Sequence, residues 1–137
     1  MPMVYVARSQ AVQEWGSDVG LTEYLYKVGV TDKTGEAAVE ALNAESFAGA
    51  ADWRLMKAQE TTKSEAEVVE KLARKEKMVD PSIYPRIKGA KGILKVKLAN
   101  VQSRLLVQKM MSGDDEKVAK KPKATDIATY LIEDALA

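Results

Sequence analysis

Two short segments rich in β-branched and aromatic residues place the strongest constraint on what this chain folds into. The first, VYVAR, spans residues 4–8, and the second, LYKVGVT, spans residues 25–31. Such residues fit a pleated, half-buried surface, so both segments predict β-strands. In the second segment Lys27 and Gly29 share a face. A glycine inside a strand indicates a bulge or the close approach of another group.

The rest of the first 111 residues alternates between amphipathic and strand-like segments. The patterns predict helices over residues 35–47, 64–79 and 100–111, and strands over residues 52–57 and 93–98. Residues 9–24 are mixed and polar and predict a long connection. Ser64 and Glu67 form the sequence of a capping box at the start of the second helix. Glu76 falls on the apolar side of that helix, which either a lysine partner or an earlier helix end would explain.

A polar, charged stretch separates this region from the C-terminus. Residues 112–123 predict a linker by composition. Residues 124–137 predict a last helix, which either docks on the domain or binds a protein partner. We therefore expect an α+β domain over residues 1–111, containing a mostly antiparallel sheet of three to four strands flanked by helices, followed by a linker and a C-terminal helical tail.

The chain contains neither cysteine nor histidine, which excludes several kinds of site. There is no disulfide framework, no thiolate or imidazole metal site, and no Ser-His or Cys-His catalytic pair. A metal would have to be a hard cation held by carboxylate oxygens, such as magnesium, manganese or calcium. Proton transfer would have to use a carboxylate, tyrosine, lysine or water.

No stretch approaches the roughly 20 apolar residues needed to span a bilayer. The opening sequence, MPMVYVARSQ, lacks the basic region and apolar run of a secretory signal. We therefore expect a cytoplasmic protein without a membrane partner.

The net charge of +1 hides an uneven distribution. Residues 1–60 carry a net charge of −4 and residues 61–137 a net charge of +5, while residues 81–113 contain no acidic residue. A long basic run without acids is typical of phosphate-binding surfaces. The predicted nucleic-acid contacts in it are Arg86, Lys88, Lys91, Lys95 and Lys97. A solvated basic face is the alternative.

The order and spacing of the first two strands resemble the GIY-YIG nuclease superfamily, in the branch with a KIG-type second motif. Residues 3–5 (MVY) stand where the first motif lies, and residues 27–31 (KVGVT) where the second lies. The helix ending at Leu42 and Asn43 agrees with that pattern, as do the helix carrying Glu70 and the strand at residues 92–96. The resemblance covers residues 3–110 and leaves the C-terminal helix outside it.

This resemblance implies a divalent-metal endonuclease that hydrolyses phosphodiester bonds with Mg²⁺ or Mn²⁺. Tyr5 would orient or activate water and Glu70 would hold the metal. Lys27 shares a strand face with Gly29 and would either reach a phosphate or be solvated surface, and Gly29 would be the structural glycine of the motif. Arg74 stands one turn beyond Glu70, where the family often has a histidine, and would be the third catalytic residue.

One departure from the family pattern supports an alternative function. Ala38 occupies the position at which the family has a helix arginine, and the sequence EAAVEALN holds no basic residue. Such an arginine stabilises charge in the transition state. The alternative is therefore an inactive adaptor of this fold that binds a protein or nucleic acid. A further alternative is an unrelated α+β domain, in which Tyr5 and Lys27 would not lie on neighbouring strands.

Overall fold

The computed structural model describes residues 2–20, 24–74, 76–79, 84, 92–111 and 123–136. Within these ranges it contains five β-strands and five α-helices. The strands are β1 (Met3–Ser9), β2 (Leu25–Thr31), β3 (Trp53–Glu60), β4 (Lys77–Met78) and β5 (Ile93–Lys95). The helices are α1 (Gln10–Asp18), α2 (Gly35–Ala44), α3 (Glu65–Ala73), α4 (Leu98–Met111) and α5 (Ala124–Leu136). A short 3-10 helix, Phe47–Gly49, follows α2.

The strands form one sheet in the order β3-β1-β2-β5-β4, in which every neighbouring pair is antiparallel. The predicted α+β class with an antiparallel sheet is confirmed, and the sheet is one strand wider than expected. In the central pair, Tyr5 lies opposite Gly29 and Ala7 lies opposite Lys27. The β1–β3 register shifts after Val6, where a bulge interrupts the ladder.

The sheet separates two apolar layers. One face carries Val4, Val6 and Val28 and packs against α3 and α5. The opposite face carries Tyr5 and Ala7 and packs against α1 and α2. This division follows from the alternation of side chains along each strand, which sends residues of odd and even number in β1 to different faces.

The long connection predicted over residues 9–24 is wrong for its first half, because residues 10–18 form α1. Ser9 is the N-cap of this helix and accepts a hydrogen bond from the Val12 N–H at 3.2 Å. Asp52 accepts from the Ala11 N–H at 3.1 Å and from the Ser9 hydroxyl. The helix is thus fixed by a carboxylate 41 residues further along the chain, a contact that local pattern does not reveal.

The helix predicted over residues 64–79 begins as expected, with the capping box formed by Ser64 and Glu67, but ends at Ala73. The strand β4 replaces its last turn. Glu76, only 2% exposed, accepts hydrogen bonds from the Tyr130 hydroxyl at 2.7 Å and from the Lys97 backbone N–H at 2.7 Å. The chain leaves the helix before Glu76 and brings this carboxylate to its donors, so the earlier helix end is confirmed.

The C-terminal helix α5 is part of the core. Ile127, Leu131, Ile132 and Ala135 are buried in the same layer as Val4. The apolar face of α5 therefore packs against the sheet of the domain. The predicted linker at residues 112–123 lies, apart from Lys123, outside the described residues.

Candidate functional site

The antiparallel register of β1 and β2 brings three of the predicted site residues together. Tyr5 and Gly29 are direct cross-strand partners, and Lys27 lies two residues before Gly29 on the same face. Tyr5 and Lys27 are each 6% exposed. The sheet thus places the phenol and the ammonium on neighbouring strands, so the arrangement expected of an unrelated domain, with Tyr5 and Lys27 on strands that are not neighbours, is wrong.

The Tyr5 side chain occupies the space over Gly29. A Cβ at position 29 would lie 2.7 Å from the Tyr5 hydroxyl oxygen and 3.0 Å from Glu65 Oε1. These distances are shorter than ordinary van der Waals contact, so any larger residue would displace the tyrosine. The close approach predicted at Gly29 is therefore made by a tyrosine and a carboxylate of the same chain.

Burial controls the protonation of both Tyr5 and Lys27. It raises the pKa of Tyr5 to about 12, with smaller contributions from the negative charges of Glu65 and Glu45. Burial also lowers the pKa of Lys27, and this effect is opposed by the same two carboxylates. The Lys27 ammonium lies 5.0 Å from the centre of the Phe47 ring, a cation–π contact. Near neutral pH Tyr5 is an uncharged hydrogen-bond donor rather than a base.

Glu65, rather than Glu70, is the α3 carboxylate beside this cluster. Glu65 Oε1 lies close to Gly29 and accepts a hydrogen bond from the Val30 N–H at 3.4 Å. Sequence reasoning missed it because its only local signal is its position as the first residue of α3, after the Ser64 cap.

The surroundings of Glu70 do not fit the metal site that the resemblance implies. Glu70 is 74% exposed and pairs with Arg74, itself 72% exposed, at 3.6 Å. In the part of the chain that the structure describes, no three acidic side chains come together as a metal-binding group. Glu70 and Arg74 therefore form a surface ion pair one helical turn apart, a kind of contact that contributes little to stability.

Basic side chains gather at one end of the sheet, where β1 ends and β2 and β3 begin. Arg8 of β1 lies directly opposite Arg54 of β3. Lys95 of β5 lies directly opposite Lys77 of β4 and, on its other side, opposite Leu25. We call Arg8, Arg54, Lys77 and Lys95 the basic end. Among the described residues, none of these four forms an ion pair with an acid.

Of the nucleic-acid contacts predicted from the acid-free run, two are described. Lys95 belongs to the basic end, and Lys97 is an exposed residue just beyond it. Arg86, Lys88 and Lys91 lie outside the described residues. The other three members of the basic end were not predicted as contacts, because cross-strand proximity between distant segments appears only in the folded register.

A polar cavity of about 310 Å³ opens beside the two arginines. Its lining residues are Arg8, Gln10, Gln13, Asp52 and Arg54. Burial works against ionisation of Asp52, but the hydrogen bonds from Ser9 and from backbone N–H groups outweigh it, and the pKa of Asp52 is lowered. Asp52 is therefore ionised, and its carboxylate fixes the start of α1 through these hydrogen bonds.

No described helix is both long and apolar enough to cross a membrane. Comparison with known proteins supplies no relative: no family model, curated protein or solved structure matches this chain. The indications of its function lie in the chemistry of the basic end and of the Tyr5–Lys27–Glu65 cluster.

Proposed function

We propose that this protein binds nucleic acid through phosphate contacts at the basic end of the sheet. The observation that carries the proposal is the direct cross-strand pairing of like charges, Arg8 with Arg54 and Lys77 with Lys95. Like charges in such positions destabilise a sheet, and a polyanion that binds between them removes the repulsion.

The dimensions of the basic end suit a run of phosphates. Arg54 and Lys77 stand on the two outer strands of the five-stranded sheet. With a spacing of about 4.8 Å between strands, the row is about 19 Å wide. One strand of a duplex advances about 3.4 Å along the helix axis per phosphate, so a stretch of this length spans several phosphates. Lys97, an exposed residue just beyond this row, adds positive charge to it.

The two like-charged pairs lie on opposite faces of the sheet. Arg8 shares a face with Val4 and Val6, whereas Lys95 shares the opposite face with its partner Leu25. A phosphate backbone that contacts both pairs therefore crosses the end of the sheet instead of following either face. Contacts of this kind carry charge but no sequence information, so we expect binding that is weakly selective for sequence.

The test is a fluorescence-anisotropy titration with labelled single- and double-stranded oligonucleotides at low salt. Replacing Arg54 or Lys95 with glutamine removes one phosphate contact and weakens binding about two- to fivefold for every sequence. Lys33→Gln is the matched control, because it also removes one exposed positive charge but lies beyond the opposite end of β2. Equal effects of all three variants would show that only net charge matters, and the absence of any binding would refute the function.

Phosphodiester hydrolysis at the Tyr5–Lys27–Glu65 cluster is the second candidate function. The geometry favours it because the β1–β2 register brings a hydrogen-bond donor and a cation to neighbouring strands, and the first residue of α3 adds a carboxylate beside Gly29. Hydrolysis is less well supported than phosphate binding because Tyr5 and Lys27 are almost completely buried, so a substrate must first gain access to them. If the cluster acts, Lys27 neutralises phosphate charge and Tyr5 donates a hydrogen bond to a phosphate oxygen or to water.

Nuclease assays with Mg²⁺ or Mn²⁺ on DNA and RNA test this second candidate. If cleavage occurs at the cluster, Glu65→Gln and Tyr5→Phe abolish it, while Glu40→Gln on the exposed side of α2 does not. Loss of cleavage in Glu70→Gln alone would instead support the carboxylate that the resemblance indicates. Nucleic-acid binding without cleavage of any substrate would leave the inactive adaptor.

A further inference from the structure

We propose that the polar cavity beside Arg8 and Arg54 binds a phosphomonoester, and specifically the terminal phosphate of a nucleic-acid strand. This inference rests on the proposed function and assigns one subsite within it. The cavity lies at the β1–β3 side of the basic end. A nucleic-acid strand that crosses the end of the sheet would begin or end its contacts there.

Two guanidinium groups supply the positive charge of the cavity. Arg8 is half-buried and Arg54 is exposed, and they are direct partners across β1 and β3. Within the described part of the chain neither of them pairs with an acid, although Asp52 lines the same cavity. Two adjacent arginines that form no ion pair with a described acid present two planar donor forks to a single ligand.

Asp52 does not cancel this preference for an anion. Its two carboxylate oxygens accept hydrogen bonds from the Ser9 hydroxyl and from the Ala11 N–H. With two cations and one committed anion the lining is net positive. The first N–H groups of α1 are likewise used by Ser9 and Asp52, so a ligand must be held by the guanidinium groups and not by the helix terminus.

The charge and shape of a terminal phosphate match this pair of donors. A phosphomonoester carries a charge of about −1.5 to −2 near neutral pH and offers three acceptor oxygens, whereas an internal phosphodiester carries one charge and two free oxygens. Each guanidinium fork bonds best to a pair of oxygens, and three oxygens form a different pair for each of the two forks, whereas a phosphodiester offers a single pair. The volume of about 310 Å³ also leaves room for the adjoining sugar, where the amide groups of Gln10 and Gln13 line the wall.

The test compares one single-stranded oligonucleotide in three forms, with a 5′-phosphate, a 3′-phosphate or hydroxyl groups at both ends. We expect one phosphorylated form to bind at least about tenfold more tightly than the hydroxyl form, because it adds charged hydrogen bonds to two arginines. Arg54→Gln should reduce the ratio of these two affinities to near one. Arg54→Lys should restore the ratio only in part, because lysine lacks the planar pair of N–H donors of a guanidinium group. Lys95→Gln should weaken all three forms equally and leave the ratio unchanged.

The outcomes separate this inference from the proposed function. Equal binding of the three forms by the wild-type protein would overturn the terminal-phosphate site while leaving nucleic-acid binding intact. If no oligonucleotide binds, the proposed function fails, and inorganic phosphate then tests the cavity by itself. Shifts of the Arg8 and Arg54 side-chain NMR signals on phosphate addition would support the site, and unshifted signals would refute it. Because Arg54 is exposed, its variants remain informative even if Arg8→Gln does not fold.

Discussion

At the scale of single residues, the contact between Tyr5 and Gly29 determines which side chains fit at positions 5 and 29. The tyrosine hydroxyl lies where a Cβ on residue 29 would be, and Glu65 approaches from a second direction. Neither strand can move away easily, because the two residues are direct partners in the central β1–β2 ladder. A side chain at position 29 therefore requires the Tyr5 ring to leave its place.

Gly29→Ala should lower the free energy of unfolding by about 1–3 kcal/mol, the usual cost of overpacking a filled site. Urea denaturation measures this loss. In the double variant Tyr5→Val and Gly29→Ala, the smaller valine makes room for the new methyl group, so the cost of Gly29→Ala should fall to below about 1 kcal/mol. An equal cost in both backgrounds would show that Tyr5 does not occupy this space.

Tyr5 should also make stability depend on pH in the alkaline range. Its pKa is about 12 in the folded protein and about 10 in an unfolded chain. Between these values the unfolded chain loses the phenol proton while the folded protein keeps it. The contribution of Tyr5 is thus complete below pH 10 and is lost as pH rises towards 12.

The measurement is urea unfolding of the wild type and of Tyr5→Phe at about pH 9 and about pH 11. The wild type should lose about 1 kcal/mol more than the variant over this interval. Tyr130, whose pKa is raised by burial and by its hydrogen bond to Glu76, contributes to both proteins and so cancels in the comparison. Identical pH dependence in the two proteins would mean that Tyr5 is exposed to solvent.

The residues of the candidate site show how far sequence reasoning reaches. Tyr5, Lys27 and Gly29 could be brought together from the sequence, since strands that follow one another along the chain usually lie side by side in a sheet. The sequence could not show whether Glu70 or Glu65 belongs to the site. Both residues lie on one helix, and only packing decides which carboxylate faces the sheet. The pairing of Arg8 with Arg54 depends on a register that includes a bulge, which the sequence does not signal.

At the scale of elements, the buried carboxylate of Glu76 fixes α5 and the start of α4 to the sheet. It accepts hydrogen bonds from Tyr130 of α5, Asn100 of α4 and the Lys97 backbone. Arg104 of α4 adds an ion pair with Asp134 at 2.6 Å and lies over the Tyr130 ring. The early end of α3 and the strand β4 follow from this arrangement. They could not be predicted because the partners of Glu76 are more than 20 residues away.

Tyr130→Phe should destabilise the protein by about 1–3 kcal/mol, because it removes a hydrogen bond to a buried carboxylate while keeping the aromatic ring. Denaturant unfolding gives the value. The control is Thr125→Ala, an exposed position on the same helix, for which a change within about 0.5 kcal/mol is expected. A Tyr130→Phe protein as stable as the control would mean that water satisfies Glu76 equally well.

At the scale of the whole molecule, the C-terminal helix belongs to the core of the domain. The segments before and after residues 112–123 were predicted as separate units from composition, yet Ile127, Leu131 and Ile132 are fully buried against the sheet. Burial of three such side chains contributes about 5–9 kcal/mol, which is comparable to the total stability of an ordinary domain. The apolar positions of this helix could be predicted from the sequence. The surface that they cover could not, because it is formed by distant segments of the chain.

A chain that ends at residue 111 should therefore fail to fold cooperatively. Thermal denaturation followed by circular dichroism should show no sharp transition, and the amide NMR spectrum should be poorly dispersed. Addition of a synthetic peptide covering residues 124–137 at high concentration should restore part of the signal. A sharp transition in the shortened chain alone would show that residues 1–111 are an independent domain.

If the basic end binds phosphates, the affinity for nucleic acid must fall with salt concentration in proportion to the number of phosphates contacted. The measurement is the slope of the logarithm of the binding constant against the logarithm of salt concentration, for the wild type and for the double variant Arg54→Gln and Lys95→Gln. If both side chains contact phosphates of a single strand, the slope should become shallower by about 1.4, or about 0.7 per contact. A slope that is the same in both proteins would mean that the phosphates are bound elsewhere on the molecule.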